Sequence, residues 1–142
     1  GGHRLTDGAL ANGNFVAPTI FSQTRPDMRI VREEIFGPVL SVQLFDTEAE
    51  AIHLANGTDY GLAGGVFTRD GAKGLRVLRS LRAGITWLNC YHPTFNEAPW
   101  GGYKQSGWGR ELGTWGLEEY LETKQMNIHL APAKLGWFRS AN

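Results

Sequence analysis

Apolar and polar positions along the chain predict short strands that alternate with helices. Residues 14–21 are rich in strand-forming side chains, although Pro18 favours an edge position or an interruption. Residues 38–45, 63–67 and 84–89 predict three further strands, the first of them buried. A later segment, residues 125–130, alternates polar with apolar side chains and predicts a half-buried strand that needs a sheet edge to join.

Two helices are predicted between these strands. Thr47 and Glu50 have the spacing of a capping box, so we expect a helix from there to Gly57, where a left-handed glycine would stop it. Asp70 can cap a second helix that ends before Gly84. One face of this second helix carries three leucines at spacings of three, Leu75, Leu78 and Leu81.

The order of elements favours a layered α/β domain. Strand, helix, strand, helix and strand follow one another from residue 38 to residue 89, which predicts parallel pairing through right-handed crossovers. Ligands of such sheets bind beyond the carboxyl ends of the strands, so the loop at residues 90–107 is the first candidate for a site. A short helix is expected at residues 115–121, and residues 131–142 show no clear period and predict a tail.

Composition narrows the classes of partner. Lysine plus arginine and aspartate plus glutamate number 14 each, so no net field attracts nucleic acid or an anionic membrane. We therefore expect a small-molecule or protein partner. The one cysteine cannot form an internal disulfide, which favours a reducing, cytoplasmic setting. The chain has no apolar run of the roughly 18 to 20 residues that a membrane span needs. It begins with neither an initiating Met nor a signal-peptide pattern, so its true N-terminus is expected to be missing.

Five stretches in fixed order carry the chemistry of the chain: Arg-Glu-Glu-Ile-Phe-Gly-Pro-Val at 32–39, Asn-Gly-Thr-Asp-Tyr-Gly-Leu-Ala at 56–63, Gly-Ile-Thr-Trp-Leu-Asn at 84–89, Pro-Trp-Gly-Gly-Tyr-Lys-Gln-Ser-Gly at 99–107 and Gly-Arg-Glu-Leu-Gly at 109–113. Together they resemble the C-terminal part of the aldehyde dehydrogenase superfamily. The resemblance implies a partial α/β catalytic domain at residues 1–122, a strand at 123–130 that extends a neighbouring subunit's sheet in a homo-oligomer (a dimer or tetramer), and a tail at 131–142.

The resemblance also implies a reaction and a cofactor. Relatives oxidise an aldehyde to a carboxylic acid by thiolate attack, hydride transfer to NAD or NADP, and hydrolysis of a thioester. Glu34 would accept hydrogen bonds from the nicotinamide-ribose hydroxyls, since a carboxylate can take two donors at once. Phe36 would pack near the nicotinamide ring. Without the other motifs, Glu33 and Glu34 would be interpreted as a solvated pair and Phe36 as a core residue.

Trp100 is the candidate specificity residue. Tryptophan before Gly-Gly-Tyr-Lys is similar to the betaine aldehyde and aminoaldehyde dehydrogenases of that superfamily, and an indole face attracts a trimethylammonium group by roughly 0.5 to 2 kcal/mol. The alternative is a large packing residue beside two glycines. By the same resemblance, the preceding loop would line the aldehyde entrance with five more residues, Cys90, Tyr91, His92, Phe95 and Glu97.

Catalytic residues are not expected in this chain. Cys90 with His92 could form a thiolate and its base, but we expect the two side chains to diverge, and the resemblance puts the catalytic cysteine in an upstream glycine-glutamine-x-cysteine stretch that residues 1–142 do not contain. The chain alone is therefore expected to be inactive, with no metal site. Arg110 and Glu122 would form a structural ion pair, or remain two exposed charges. A non-catalytic remnant or interaction module, and an enzyme of other aldehydes or semialdehydes, are the alternative functions.

Overall fold

The computed structural model describes residues 1–131, 133, 136 and 137. Within them the strands form three pairs: β1 (Thr19–Phe21) with β2 (Val39–Ser41), β3 (Tyr60–Gly61) with β6 (Tyr103–Lys104), and β4 (Ala63–Val66) with β5 (Ile85–Leu88). The helices are α1 (Arg29–Arg32), α2 (Glu48–Asn56), α3 (Gly71–Ser80) and α4 (Gly113–Glu118), and a 3₁₀ turn spans Gly8–Leu10. The chain is thus an α/β fold, as the sequence predicts.

The unit of β4, α3 and β5 is the best-formed part of the fold. Its two strands are parallel, with Ala63 opposite Ile85 and Val66 opposite Leu88. Trp87 of β5 is buried, with 8% of its surface exposed. The prediction of a strand, a crossover helix and a parallel strand is confirmed here. The expected extension of this sheet to residues 38–45 is wrong for the described chain, because β2 pairs in parallel with β1 instead.

Both long helices start where the sequence predicts. The Thr47 hydroxyl accepts from the amide of Glu50 at 3.2 Å, and the Asp70 carboxylate accepts from the amide of Lys73 at 3.0 Å. Their ends differ from expectation. Gly57 has a φ of −76°, so it does not stop α2 in the left-handed conformation. The second helix ends at Ser80, ahead of the predicted Gly84, because the next residue adopts an extended backbone.

Large apolar side chains remain exposed over much of the chain. The strand predicted at 38–45 forms only at Val39–Ser41. Its predicted burial is wrong in this chain, since Leu40 is 57% exposed, Leu44 75% and Phe45 59%. A compact monomer of this size would expose about 7,300 Å², whereas the chain exposes 12257 Å². The described elements therefore do not close an apolar core by themselves.

The C-terminal strand prediction is not met within this chain. Residues 122–130 have no assigned secondary structure, and Met126, Ile128 and Leu130 are exposed. A strand needs a partner edge for its amides, and none of the described strands pairs with this segment; pairing with another subunit stays a prediction. The preceding helix, α4, begins two residues before its predicted start. The predicted tail at 131–142 lies mostly outside the described residues. No helix in the described part of the chain is long and apolar enough to cross a membrane.

Candidate functional site

The segment that follows α1 presents Glu34 while it holds Glu33 in place. Nε of Arg29 donates to both carboxylate oxygens of Glu33 at 2.9 Å. This hydrogen bond lowers the pKa of Glu33 below its ordinary value of 4.5. The Glu34 carboxylate, in contrast, accepts no hydrogen bond from any described side chain or amide. Both acids are exposed, as a solvated pair would be, but only Glu33 is engaged by a neighbouring side chain. The role of Glu34 in cofactor binding stays a prediction.

Phe36 lies on the surface in an unusual backbone conformation. It is 93% exposed, so the alternative interpretation as a core residue is wrong. Its φ of 52° lies in the left-handed region, which costs a non-glycine residue on the order of 1 kcal/mol or more. Such strain is common where a chain presents a side chain to a ligand. Whether this ring packs against a nicotinamide stays a prediction.

A groove connects Glu34 with residues from the distant glycine-rich segment. This Glu34 groove has a volume of about 480 Å³ and is lined by eight residues, Val31, Arg32, Glu33, Glu34, Tyr60, Leu62, Gln105 and Ser106. Tyr60, Gln105 and Ser106 were not among the predicted site residues. The sequence did contain a signal for them, since all three fall inside the motifs that carry the family resemblance. A motif alone, however, does not show which of its side chains line the same groove.

Trp100 lines a second groove beside the first. This Trp100 groove has a volume of about 670 Å³, and its lining includes Leu62, Ser106, Arg110 and Leu117. The peptide groups of Trp100 and Glu111 form two hydrogen bonds of 2.7 Å with each other. These bonds fix the backbone of Trp100. Leu62 and Ser106 line both grooves. The fold thus brings the predicted cofactor carboxylate and the predicted specificity residue to adjoining grooves.

The remaining residues of the predicted aldehyde entrance do not gather around Trp100. Trp87 anchors their loop, because its indole N–H donates to the carbonyl of Pro93 at 2.8 Å and its ring lies 4.9 Å from the ring of Tyr91. Tyr91 lines a different groove, of about 860 Å³, between α2, α3 and β4. The other four side chains are exposed and do not line the Trp100 groove: Cys90, His92, Phe95 and Glu97.

Cys90 and His92 show no catalytic pairing in the described contacts. Cys90 is a free, exposed thiol. The expected divergence of the two side chains does not follow from strand alternation, which would place residues two apart on the same face. The loop is instead irregular, since Asn89 and His92 have φ values of 56° and 82°. Among the described residues no cluster of three potential ligands could hold a metal ion.

Arg110 has other partners than the predicted Glu122. One guanidinium nitrogen donates to the carbonyls of Gly102 at 3.1 Å and Gly109 at 2.6 Å. The guanidinium also lies 5.4 Å from the ring centroid of Tyr103. The ion pair with Glu122 is not formed within this chain, because Glu122 lies in the exposed, irregular segment beyond α4. Arg110 therefore fixes the glycine-rich turn locally.

Comparisons with known proteins identify the family of the chain. The aldehyde dehydrogenase family matches residues 1–126. The chain is 56% identical over 140 residues to a betaine aldehyde dehydrogenase of Bacillus subtilis, covering 99% of the chain and 29% of that relative. It is 51% identical over 130 residues to the peroxisomal aminoaldehyde dehydrogenase 1 of Pisum sativum, covering 92% of the chain and 26% of that relative.

Solved structures give the same result. The crystal structure of the betaine aldehyde dehydrogenase of Staphylococcus aureus in complex with NAD+ superimposes with a TM-score of 0.83 at 52% identity, covering 92% of this chain and 26% of that one. The chain thus spans less than a third of the length of the relatives it matches. Since the family match extends over most of the sequence, the chain belongs to the aldehyde dehydrogenase family.

Proposed function

We propose that the chain is the part of an NAD(P)-dependent aldehyde dehydrogenase that holds the nicotinamide end of the cofactor and forms one wall of the aldehyde entrance. The proposed reaction of the whole enzyme is oxidation of betaine aldehyde to glycine betaine. The names of the relatives support this substrate, since those from Bacillus subtilis and Staphylococcus aureus are betaine aldehyde dehydrogenases. Aminoaldehydes are the second candidate, because the Pisum sativum relative is named for them.

The residues present fit a nicotinamide nucleotide at the Glu34 groove. Glu34 offers a carboxylate whose oxygens have no partner among the described residues, and paired ribose hydroxyls are suitable donors for it. Phe36 offers an exposed aromatic face two residues away. When bound, NAD+ supplies the hydride acceptor. Its presence in the Staphylococcus aureus structure favours NAD over NADP.

The Trp100 groove offers an aromatic face to an aldehyde with a cationic head, and its lining contains two carboxylates, Glu111 and Glu119, beside the guanidinium of Arg110. The indole is half-buried, and desolvation strengthens the attraction between an aromatic face and a quaternary ammonium group. In our proposal, Trp100 orients the substrate while the reacting groups come from outside residues 1–142. The observation that carries the proposal is the adjacency of the two grooves, which share Leu62 and Ser106.

A chimera tests the proposal. The chimera is the Bacillus subtilis betaine aldehyde dehydrogenase in which residues 1–142 of this chain replace the matching part. We expect the chimera to oxidise betaine aldehyde with NAD+, and the 142-residue chain alone to show no turnover. A folded chimera without activity on any aldehyde would contradict the proposal and favour a non-catalytic remnant or interaction module. Turnover by the isolated chain would contradict the prediction that its nucleophile lies elsewhere.

Substrate choice has a sharper test. Betaine aldehyde and 3,3-dimethylbutanal have nearly the same shape and differ in charge. Trp100→Ala in the chimera is expected to lower kcat/KM for betaine aldehyde about 2- to 30-fold more than for the neutral aldehyde, because only the cation gains from the indole face. An equal loss for both aldehydes would leave Trp100 as a packing residue.

Two further parts of the proposal concern the setting of the enzyme. Pairing of residues 123–130 with a neighbouring subunit would give the exposed side chains of Met126 and Ile128 a partner surface, and we propose a homo-oligomer on that basis. The cytoplasmic location rests on the cysteine usage alone. Plant relatives carry the words peroxisomal or chloroplastic in their names, so localisation of a tagged intact protein decides it.

A further inference from the structure

Lys104 joins the end of α2 to the glycine-rich segment. Its ammonium group donates to the carbonyl of Asn56 at 3.0 Å and to the carbonyl of Thr58 at 2.8 Å, and the side chain is half-buried. The last carbonyls of a helix have no partner within the helix and carry a partial negative charge. A lysine ammonium is well suited to these carbonyls, because it supplies both charge and several donors.

The residues after Lys104 are bound to the same stretch of chain. The amide of Gln105 donates to the carbonyl of Asp59 at 3.0 Å. The hydroxyl of Ser106 accepts from the amide of Gly61 at 3.0 Å. Residues 104–106 and residues 56–61 are therefore joined by side-chain and backbone hydrogen bonds at each successive position. These bonds hold in place Gln105 and Ser106, which line the Glu34 groove together with the carboxylate.

Lys104 also has a backbone conformation that needs support. Its φ of 54° lies in the left-handed region, where a lysine costs free energy that a glycine would not. A residue in this conformation persists when the surrounding contacts hold it. The two bonds from its ammonium group, together with the pairing of β3 and β6, are those contacts.

Resting on the proposed function, we propose that Lys104 is a positioning residue for cofactor binding. Its ammonium group does not line the Glu34 groove. It acts through Gln105 and Ser106, whose placement in the lining of the Glu34 groove sets the shape of the groove and so its fit to the nicotinamide end of NAD+. Loss of the ammonium group should loosen this side of the groove and weaken cofactor binding more than it affects the chemical step.

The test compares three variants of the chimera by direct NAD+ titration, steady-state kinetics and thermal unfolding. Lys104→Met removes the charge and keeps the length of the side chain, and Lys104→Arg keeps the donors. Lys73→Met is the matched control, because Lys73 is an exposed lysine of α3 whose ammonium group has no hydrogen bond with the described residues. We expect Lys104→Met to raise the Kd for NAD+ about tenfold, with kcat changed less than about threefold. Lys104→Arg should recover most of the affinity.

Each other outcome has a distinct meaning. An unchanged Kd for NAD+ in Lys104→Met would overturn the positioning role while the proposed function stands. Equal changes in cofactor affinity, aldehyde KM and kcat, or loss of the folded protein, would also overturn it, since the lysine would then serve general stability. Aldehyde turnover by the unsubstituted chimera tests the proposed function separately, and failure of that chimera to bind NAD+ would overturn both.

Discussion

Arg76 of α3 binds Glu48 of α2 through two hydrogen bonds, 2.6 Å from Nε to one carboxylate oxygen and 2.7 Å from a terminal guanidinium nitrogen to the other. The pair links the first turn of one helix to the second half of the next. It lies at the surface, since 57% of the Arg76 side chain and 28% of the Glu48 side chain are exposed. The bidentate geometry is the favourable one for an arginine and a carboxylate.

This ion pair predicts a pH dependence of stability. The hydrogen bond from Arg76 lowers the pKa of Glu48 below its ordinary value of 4.5, so the folded state binds the proton less readily than the unfolded state. The stabilisation is therefore fully present above that ordinary value and is lost as the pH falls through the lowered pKa of the folded protein.

Glu48→Gln in the chimera should remove this contribution. At pH 7 the variant is expected to exchange the amide hydrogens of α2 and α3 slightly faster than the unsubstituted chimera, and the difference should vanish at a pH below the folded pKa of Glu48. High salt should reduce the difference at pH 7, because the pair is exposed. A difference that grows on acidification would contradict the assigned role.

Asn89 carries a second prediction, because its side chain continues the ladder of β4 and β5. Its amide oxygen accepts from the amide of Thr68 at 2.8 Å, and its amide nitrogen donates to the carbonyl of Thr68 at 2.9 Å. Asn89 also has a φ of 56°, which asparagine tolerates better than most residues. Asn89→Ala loses both bonds and adds strain, whereas Asn89→Gly loses the bonds alone.

We expect Asn89→Ala to destabilise the region around Thr68 by about 2 kcal/mol and Asn89→Gly by about 1 kcal/mol. Hydrogen exchange of the Thr68 amide in the chimera measures the local opening free energy directly. Equal protection factors for the alanine and glycine variants would show that the left-handed backbone at this position carries no cost.

The sequence predicted correctly those features that are set by residues close together in the chain. The caps at Thr47 and Asp70 involve atoms three residues away, so the sequence alone specifies them. The parallel pair of β4 and β5 also follows from a short crossover. In contrast, the partner of β2 depends on which distant strand is available, and the pattern of apolar residues does not choose between β1 and β4.

The candidate site was predicted as a set of motifs, and its internal geometry was not. Glu34 and Trp100 were named from family motifs, whereas the groove that Glu34 lines together with Gln105 and Ser106 arises only when the chain folds. The entrance residues from Cys90 to Glu97 were expected to face one pocket. They do not, because the loop after β5 is irregular, with positive φ at Asn89 and His92, and leaves these side chains exposed.

Close backbone contact at Gly84 gives a third prediction. A Cβ at this position would overlap the carbonyl of Gly101 and would lie 3.3 Å from the Cα of Gly102. These glycines immediately follow Trp100. A larger residue at position 84 must therefore shift this backbone, and the shift would change the shape of the Trp100 groove. Gly71 is the matched control, because a Cβ there meets nothing within 4 Å and the residue lies in the first turn of α3.

Gly84→Ala in the chimera is expected to destabilise the fold by about 1 to 3 kcal/mol and to raise the aldehyde KM, while Gly71→Ala should be neutral or slightly stabilising. Thermal unfolding and steady-state kinetics of the two variants provide the comparison. If both alanine variants behave alike, the close approach of residues 84 and 101 does not constrain the groove.

The last prediction concerns the surface that the chain exposes on its own. Its solvent-accessible surface of 12257 Å² exceeds the value expected for a compact monomer by about 5,000 Å². The exposed apolar side chains include Phe45, Phe67 and Trp108. Exposed apolar surface on this scale favours association or loss of fixed packing. The isolated chain is therefore expected to bind a hydrophobic dye such as ANS strongly and to elute as aggregates in size-exclusion chromatography, whereas the chimera should bind little dye. A monomeric, dye-negative isolated chain with a cooperative unfolding transition would show that residues 1–142 close a core that the described structure lacks.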